Sequence, residues 1–164
     1  MNEDLAWTEI VLRLGAAMVC GLVLGLERES KNKPAGIRTH MLVCLAAACF
    51  TILATEIFFT QLAFTKGETA VDTTRVIEGV IAGVAFLGAG TIIQSRGDVV
   101  GLTTGAAIWL AGALGVACGG AYYIVAFTTL AFAFVTLSIL GWVTARLNGG
   151  KAEAADKPAD KKTA

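Results

Sequence analysis

GLERESKNKPAGIRTH, residues 25–40, sets Glu27, Arg28, Glu29, Lys31, Lys33, Arg38 and His40 between two apolar runs. LGAAMVCGLVL precedes it and MLVCLAAACFTILA follows it. A helix of about 20 apolar residues crosses a hydrocarbon core of about 30 Å. Lys and Arg collect in the short loops on the cytoplasmic side. The stretch therefore reads first as a topological anchor between two membrane-spanning helices.

The rest of the composition agrees. Of 164 residues, 55% are hydrophobic and 16% are charged, against roughly 25% charged in soluble domains. Mean hydropathy is +0.70. Gly is abundant at 19 and Pro scarce at 2, a balance that suits helices packed closely inside lipid. The formal net charge is zero, so nothing points to nucleic acid as a partner. Cys20, Cys44, Cys49 and Cys118 all lie in apolar runs, without CxxC or Cys/His spacing, and read as small buried residues. The acidic start MNEDLAW lacks the basic region of a secretory signal, so the first apolar run is expected to be retained.

Five spans emerge: Leu5 to Leu26, Thr39 to Ala63, Val76 to Gln94, Leu102 to Cys118 and Ala121 to Leu147. The runs are too long and too uniformly apolar for barrel strands, which alternate over about ten residues. The expected fold class is all-α: a polytopic helical membrane bundle over residues 1–148, with residues 149–164 a disordered polar tail. Arg28, Lys31, Lys33, Arg38, Arg96, Arg146 and the lysines of the tail fall on one side, Lys66 and Arg75 on the other. That asymmetry places the N-terminus outside and the C-terminus in the cytoplasm. Trp7, Tyr122, Tyr123 and Trp142 suit the interfacial belts; Trp109 lies mid-span and is expected to pack in the bundle.

Small residues let helix backbones approach in lipid. The candidate contact glycines are Gly21 and Gly25, Gly79 and Gly83, Gly88 and Gly90, and Gly105, Gly112 and Gly119, the last three on one seven-residue spacing. The same faces suit a homodimer. PAGIRT (34–39) and VVGLTT (99–104) stand 65 residues apart and hint at two related hairpins.

Charges inside spans are costly and usually face the bundle interior in pairs. Glu9, Arg13, Glu56 and Glu78 fall at similar depth and are expected to meet. Glu9 and Arg13 also stand four residues apart in the favourable order. Such a cluster serves either as glue between helices or as a weak cation or proton site; no cofactor is called for. At the opposite face Glu27, Arg28, Glu29 and Arg38 gather with Arg96 and Asp98. Thr39 is expected to cap the second helix and Thr103 or Thr104 the fourth. His40 reads as an interfacial hydrogen-bonding residue rather than a ligand. No nucleophile–base pair, phosphate loop or HExxH motif is present, so an enzyme is the least expected class.

GLERESKNKPAGIRTHMLVCLAAACF, RVIEGVIAGVAFLGAG and VVGLTTGAAIWLAGALGVACGGAYYIVA together resemble the MgtC/SapB family of bacterial membrane proteins, over about residues 9–147. The resemblance implies an integral protein of the bacterial cytoplasmic membrane, linked to growth at low magnesium and, in pathogens, to survival inside host cells. It implies a regulator of other inner-membrane proteins more than a transporter. Family motif positions carry over to Arg13, Glu27, Arg28, Glu29, Pro34, Gly36, Arg38, Thr39 and His40. Downstream they fall on Arg75, Phe86, Gly88, Gly90, Gly101, Thr103, Thr104 and Trp109. Ala85 replaces a usual Gly, and Glu78 replaces a usual amide. Longer members carry a soluble C-terminal domain, and this chain is expected to be a short form.

Overall fold

The computed structural model describes residues 6–65, 72–95, 98–141, 143 and 146. Arg96, Trp142 and the 149–164 tail lie outside the described residues, as does the side chain of Asp98.

Among the described residues five α-helices follow in order: α1 Trp7–Ser30, α2 Ile37–Phe64, α3 Thr74–Ala89, α4 Leu102–Gly119 and α5 Tyr123–Phe134. Beyond α5 the chain widens into a π-helical segment, Val135–Leu140. A small antiparallel hairpin, β1 Ile93–Ser95 and β2 Asp98–Val100, separates α3 from α4. Helices α1, α2 and α4 are long and apolar enough to cross a membrane.

The charged stretch does not stop α1. Glu and Arg are good helix formers, and Glu27 pairs with Lys31 one turn on, so the helix runs past Leu26 to Ser30. It ends where Asn32 turns left-handed at φ 53, with the N–H of Lys33 bonded back to the Arg28 carbonyl at 3.1 Å. Pro34 follows and bars continuation.

The third helix is shorter than its hydropathy suggests. It stops at Ala89 rather than near Gln94. Gly88 and Gly90 weaken its last turn, and the β-branched Thr91, Ile92 and Ile93 favour the hairpin. Gly101 closes that hairpin at φ +90, with the Thr91 carbonyl where a β-carbon would stand, so a side chain is excluded twice over. The starts of α2 at Ile37 and α4 at Leu102 are separated by the same 65 residues as the sequence repeat, each preceded by Gly (102 − 37 = 65).

Helix α4 is the centre of the bundle and packs on all four others. Its Ile108, Ala111, Leu114 and Cys118 are buried against Ala17, Cys20 and Leu24 of α1 and Cys44, Ala47 and Ala48 of α2. Glycine makes this possible. A β-carbon on Gly21 would lie 2.6 Å from Met41 Cα, and one on Gly25 would lie 2.5 Å from Ile37 Cα. Gly88 and Gly105 face each other across α3 and α4, each carbonyl about where the other's side chain would go, at 3.0 and 2.9 Å. Gly112 meets Val84 at 3.0 Å and Gly119 meets the Ala48 carbonyl at 2.6 Å.

Three expected contact glycines behave otherwise. A methyl group on Gly79 or Gly83 meets nothing within 4 Å, and Gly90 meets only carbonyls of its own last turn. The reason is that α3 turns its Gly88 end, not its Gly79–Gly83 stripe, onto α4. Trp109 is a further correction. It is 49% exposed on the outside of α4, because the inward positions of that helix are filled by Ala and Gly that admit the neighbouring backbones. Cys20, Cys44 and Cys118 are buried, whereas Cys49 is exposed on the outer side of α2.

Candidate functional site

Polar side chains gather at the two ends of the bundle. At the Trp7 end, Arg13 is the organising group. Its Nη2 lies 3.1 Å from Glu9 Oε1, and its Nε donates to the same oxygen at 3.1 Å. Its Nη1 donates to the carbonyl oxygen of Gly119 at 3.0 Å. Gly119 is the last residue of α4, where carbonyls lack helical partners and the helix dipole is negative. Arg13 thus neutralises a carboxylate and caps the central helix at once. The Arg13 side chain is 13% exposed and that of Glu9 is 38% exposed, so the bond to Gly119 is the better shielded of the two.

The expected four-membered cluster does not assemble. Glu56 is half-buried on α2 and Glu78 is exposed on α3, and neither makes an ion pair among the described residues. Helix α4 lies against both α1 and α3, which keeps Glu78 away from Arg13. Among the described residues no three His, Cys, Asp or Glu side chains converge.

At the Ser30 end the network is more deeply buried. Glu27 and Arg28 have side chains 3% and 2% exposed, with Glu27 Oε2 3.7 Å from Arg28 Nη1. Lys31 Nζ stands 2.7 Å from Glu27 Oε1, an ion pair rather than a well-aligned hydrogen bond. The same ammonium donates to the Leu137 carbonyl in the π-helical segment at 2.7 Å. Arg28 Nη2 approaches Thr104 Oγ1 at 3.4 Å. A buried charge left without a partner is costly, so these contacts fix the register of α1 against α4 and the π-helical segment. His40 is fully buried, with Nδ1 2.8 Å from the Gly36 carbonyl. It sits inside the α1–α2 crossing in the first turn of α2, and its own backbone is part of what Gly21 packs against.

The expected threonine caps are replaced. Gly36 and Gly101 occupy the cap positions of α2 and α4 without side-chain bonds. Glu29 caps α2 instead: its Oε2 accepts from the N–H of Ile37 at 2.8 Å. Thr39 and Thr103 are exposed, and Thr104 faces Arg28. Arg38 is exposed and makes no ion pair among the described residues. Asp98 is placed only by its backbone, paired with Ser95 in the hairpin.

The sequence pattern of the MgtC family matches residues 14–146. The chain belongs to the MgtC family. It is 36% identical to Protein SapB of Bacillus subtilis over 90% of this chain and 63% of that protein. It is 34% identical to YhiD of Escherichia coli strain K12, over 85% of this chain and 64% of that protein. It is 33% identical to Protein MgtC of Salmonella typhimurium strain LT2, over 73% of this chain and 47% of that protein. The chain therefore spans less than two thirds of the length of these relatives. No solved structure matches it. This MgtC family protein is a bacterial membrane protein; the network at the Ser30 end lies within the matched region, and Glu9 and Arg13 stand just before it.

Three contacts escape sequence reading. The partner of Arg13 is a backbone carbonyl 106 residues away, and Lys31 likewise reaches the Leu137 carbonyl. Carbonyls have no sequence signature. The Glu29 cap does have one: a carboxylate eight residues before a helix start, across a short Pro-Ala-Gly turn.

Proposed function

We propose that this MgtC family protein is a non-enzymatic regulator in the bacterial cytoplasmic membrane, serving adaptation to scarce magnesium by acting on other inner-membrane proteins. In a pathogen the same role would serve survival inside the host. Five helices cross the bilayer, α1 entering from outside, with the Ser30, Ile37 and Leu102 ends on the cytoplasmic side. The distribution of Lys and Arg supports that orientation.

One observation carries the reading. The two shielded arginines, Arg13 and Arg28, both hold helices together through α4, at Gly119 and Thr104. Between them α4 is packed backbone to backbone by glycine. Such a core supports a rigid docking body more than a gated path.

Crosslinking in native membranes, with mass identification of the captured proteins, tests this directly. A membrane protein recovered reproducibly, whose activity changes when this chain is deleted at limiting magnesium, is the expected result. Capture of lipid and background alone, with normal growth of the deletion strain, would contradict it.

A second reading is transport or binding of a cation. YhiD is named a candidate magnesium transporter. The half-buried Glu56 and exposed Glu78 are carboxylates without an ion pair among the described residues, which favours this reading. Flux measurements separate the two.

A further inference from the structure

Helices α2 and α3 leave a groove of about 550 Å³ between them. Leu42, Ala46 and Phe50 line one wall, and Gly79, Gly83 and Leu87 the other. Every lining residue is apolar. The wall from Val76 to Leu87 covers about 16 Å at about 1.5 Å per residue. That is roughly the depth of one leaflet, half a core of about 30 Å. The groove owes its depth to Gly79 and Gly83, where an added β-carbon would meet nothing within 4 Å.

Its chemistry selects the occupant. A wall with no polar side chain along its length offers nothing to a headgroup and accepts a polymethylene chain.

A charge stands at its end. Arg38 lies one turn before Leu42 in the first turn of α2, exposed and without an ion pair among the described residues. Residues four apart share a helix face, which puts Arg38 on the Leu42 face of α2, one turn beyond the groove's end. Guanidinium groups recognise phosphate through paired hydrogen bonds. The α2 N-terminus already holds Glu29, so an arriving headgroup is left to Arg38.

We propose that the α2–α3 groove is a binding site for an anionic phospholipid, with an acyl chain against Gly79 and Gly83 and the headgroup phosphate on Arg38. Within a bilayer an acyl chain gains little hydrophobic energy by moving from lipid to protein. Preference therefore comes from the fit of the groove and from the charge. The site goes beyond the regulatory reading and does not depend on it.

Native mass spectrometry tests this on the full chain released from nanodiscs of equal phosphatidylglycerol and phosphatidylcholine. The expected result is one retained phosphatidylglycerol per chain. Gly83→Leu and Gly79→Leu each fill the groove and should abolish that retention. Arg38→Gln should cut the preference for phosphatidylglycerol about tenfold, the loss of one charge-assisted hydrogen bond. Gly15→Leu is the matched control, since a side chain there also meets nothing within 4 Å but lies on α1; it should retain lipid normally. Thermal unfolding confirms that each variant is folded. Equal lipid retention in Gly83→Leu and the unaltered chain overturns the proposal, as does equal retention of the two lipids. A dimer that Gly83→Leu dissociates, with lipid retention unchanged, also overturns it and gives the groove to a second copy.

Discussion

Arg13 donates to the carbonyl oxygen of Gly119 at 3.0 Å, joining the first turns of α1 to the last residue of α4. The contact turns an intramembrane charge into a cap on the central helix. It also gives the carboxylate of Glu9 a partner that is itself held in place.

Replacing Arg13 by Ala should destabilise the detergent-solubilised protein by about 1.5–3 kcal/mol, the range for hydrogen bonds to charged groups. Glu78→Gln should stay within about 0.5 kcal/mol, as for an exposed residue without an ion pair. Paired thermal unfolding curves check both. Equal effects of the two changes would mean that Arg13 is not the buried tie described.

The glycines should divide into two classes. Gly25→Val drives a side chain into Ile37 Cα and is expected to cost at least about 1–3 kcal/mol, as overpacking does. Gly79→Ala enters open space and should be neutral or slightly stabilising, since Ala is the better helix former. The melting temperatures of the two variants decide it. A destabilised Gly79→Ala would show that the α3 stripe is packed after all.

Lys31 links the buried Glu27 to the π-helical segment through the Leu137 carbonyl. Lys31→Met should therefore loosen the segment as well as the ion pair, raising hydrogen exchange around residues 135–140. Glu27→Gln should cost less in the Lys31→Met chain than it does alone, because its contact with Lys31 is already lost. A double-mutant cycle with a coupling of about 0.5–3 kcal/mol is expected. Additive effects would break the link.

Cys20 and Cys118 bring their sulfurs to 3.8 Å across α1 and α4. With Cys44 and Cys49 changed to Ala, a membrane-permeant thiol oxidant or a mercuric ion should bridge them within one chain. A faster-running band on a denaturing gel, reversed by reductant, is the readout. Failure to bridge, under conditions where both thiols still alkylate after unfolding, would contradict the α1–α4 register.

Orientation is open to the same chemistry. A cysteine introduced at the exposed Ser30 should resist an impermeant thiol reagent in intact spheroplasts and react after the membrane is opened. Labelling in intact spheroplasts would invert the topology.

The membrane class, the helix order and the Glu9–Arg13 pair were legible in the sequence because hydropathy and four-residue spacing are local signals. The end of α3 was not. The run from Val76 to Gln94 is apolar throughout, and hydropathy does not distinguish a helix from the β-branched hairpin that follows Gly90. Equal depth also misled the expectation for Glu78. Depth follows from position along a span, whereas the face a residue presents depends on which helix lies at the centre. That role falls to α4, whose glycine spacing was visible but whose neighbours were not. Gly79 and Gly83 have the same spacing as Gly21 and Gly25, yet only the latter pair meets a backbone.

The most direct test of a regulator built on a closed core is magnesium flux. The purified full chain, placed in liposomes holding a magnesium-sensitive dye, is exposed to an inward magnesium gradient. The expected result is uptake equal to that of protein-free liposomes, with or without an imposed potential or proton gradient. Uptake that scales with the amount of protein and falls in Glu56→Gln or Glu78→Gln would contradict it and establish transport.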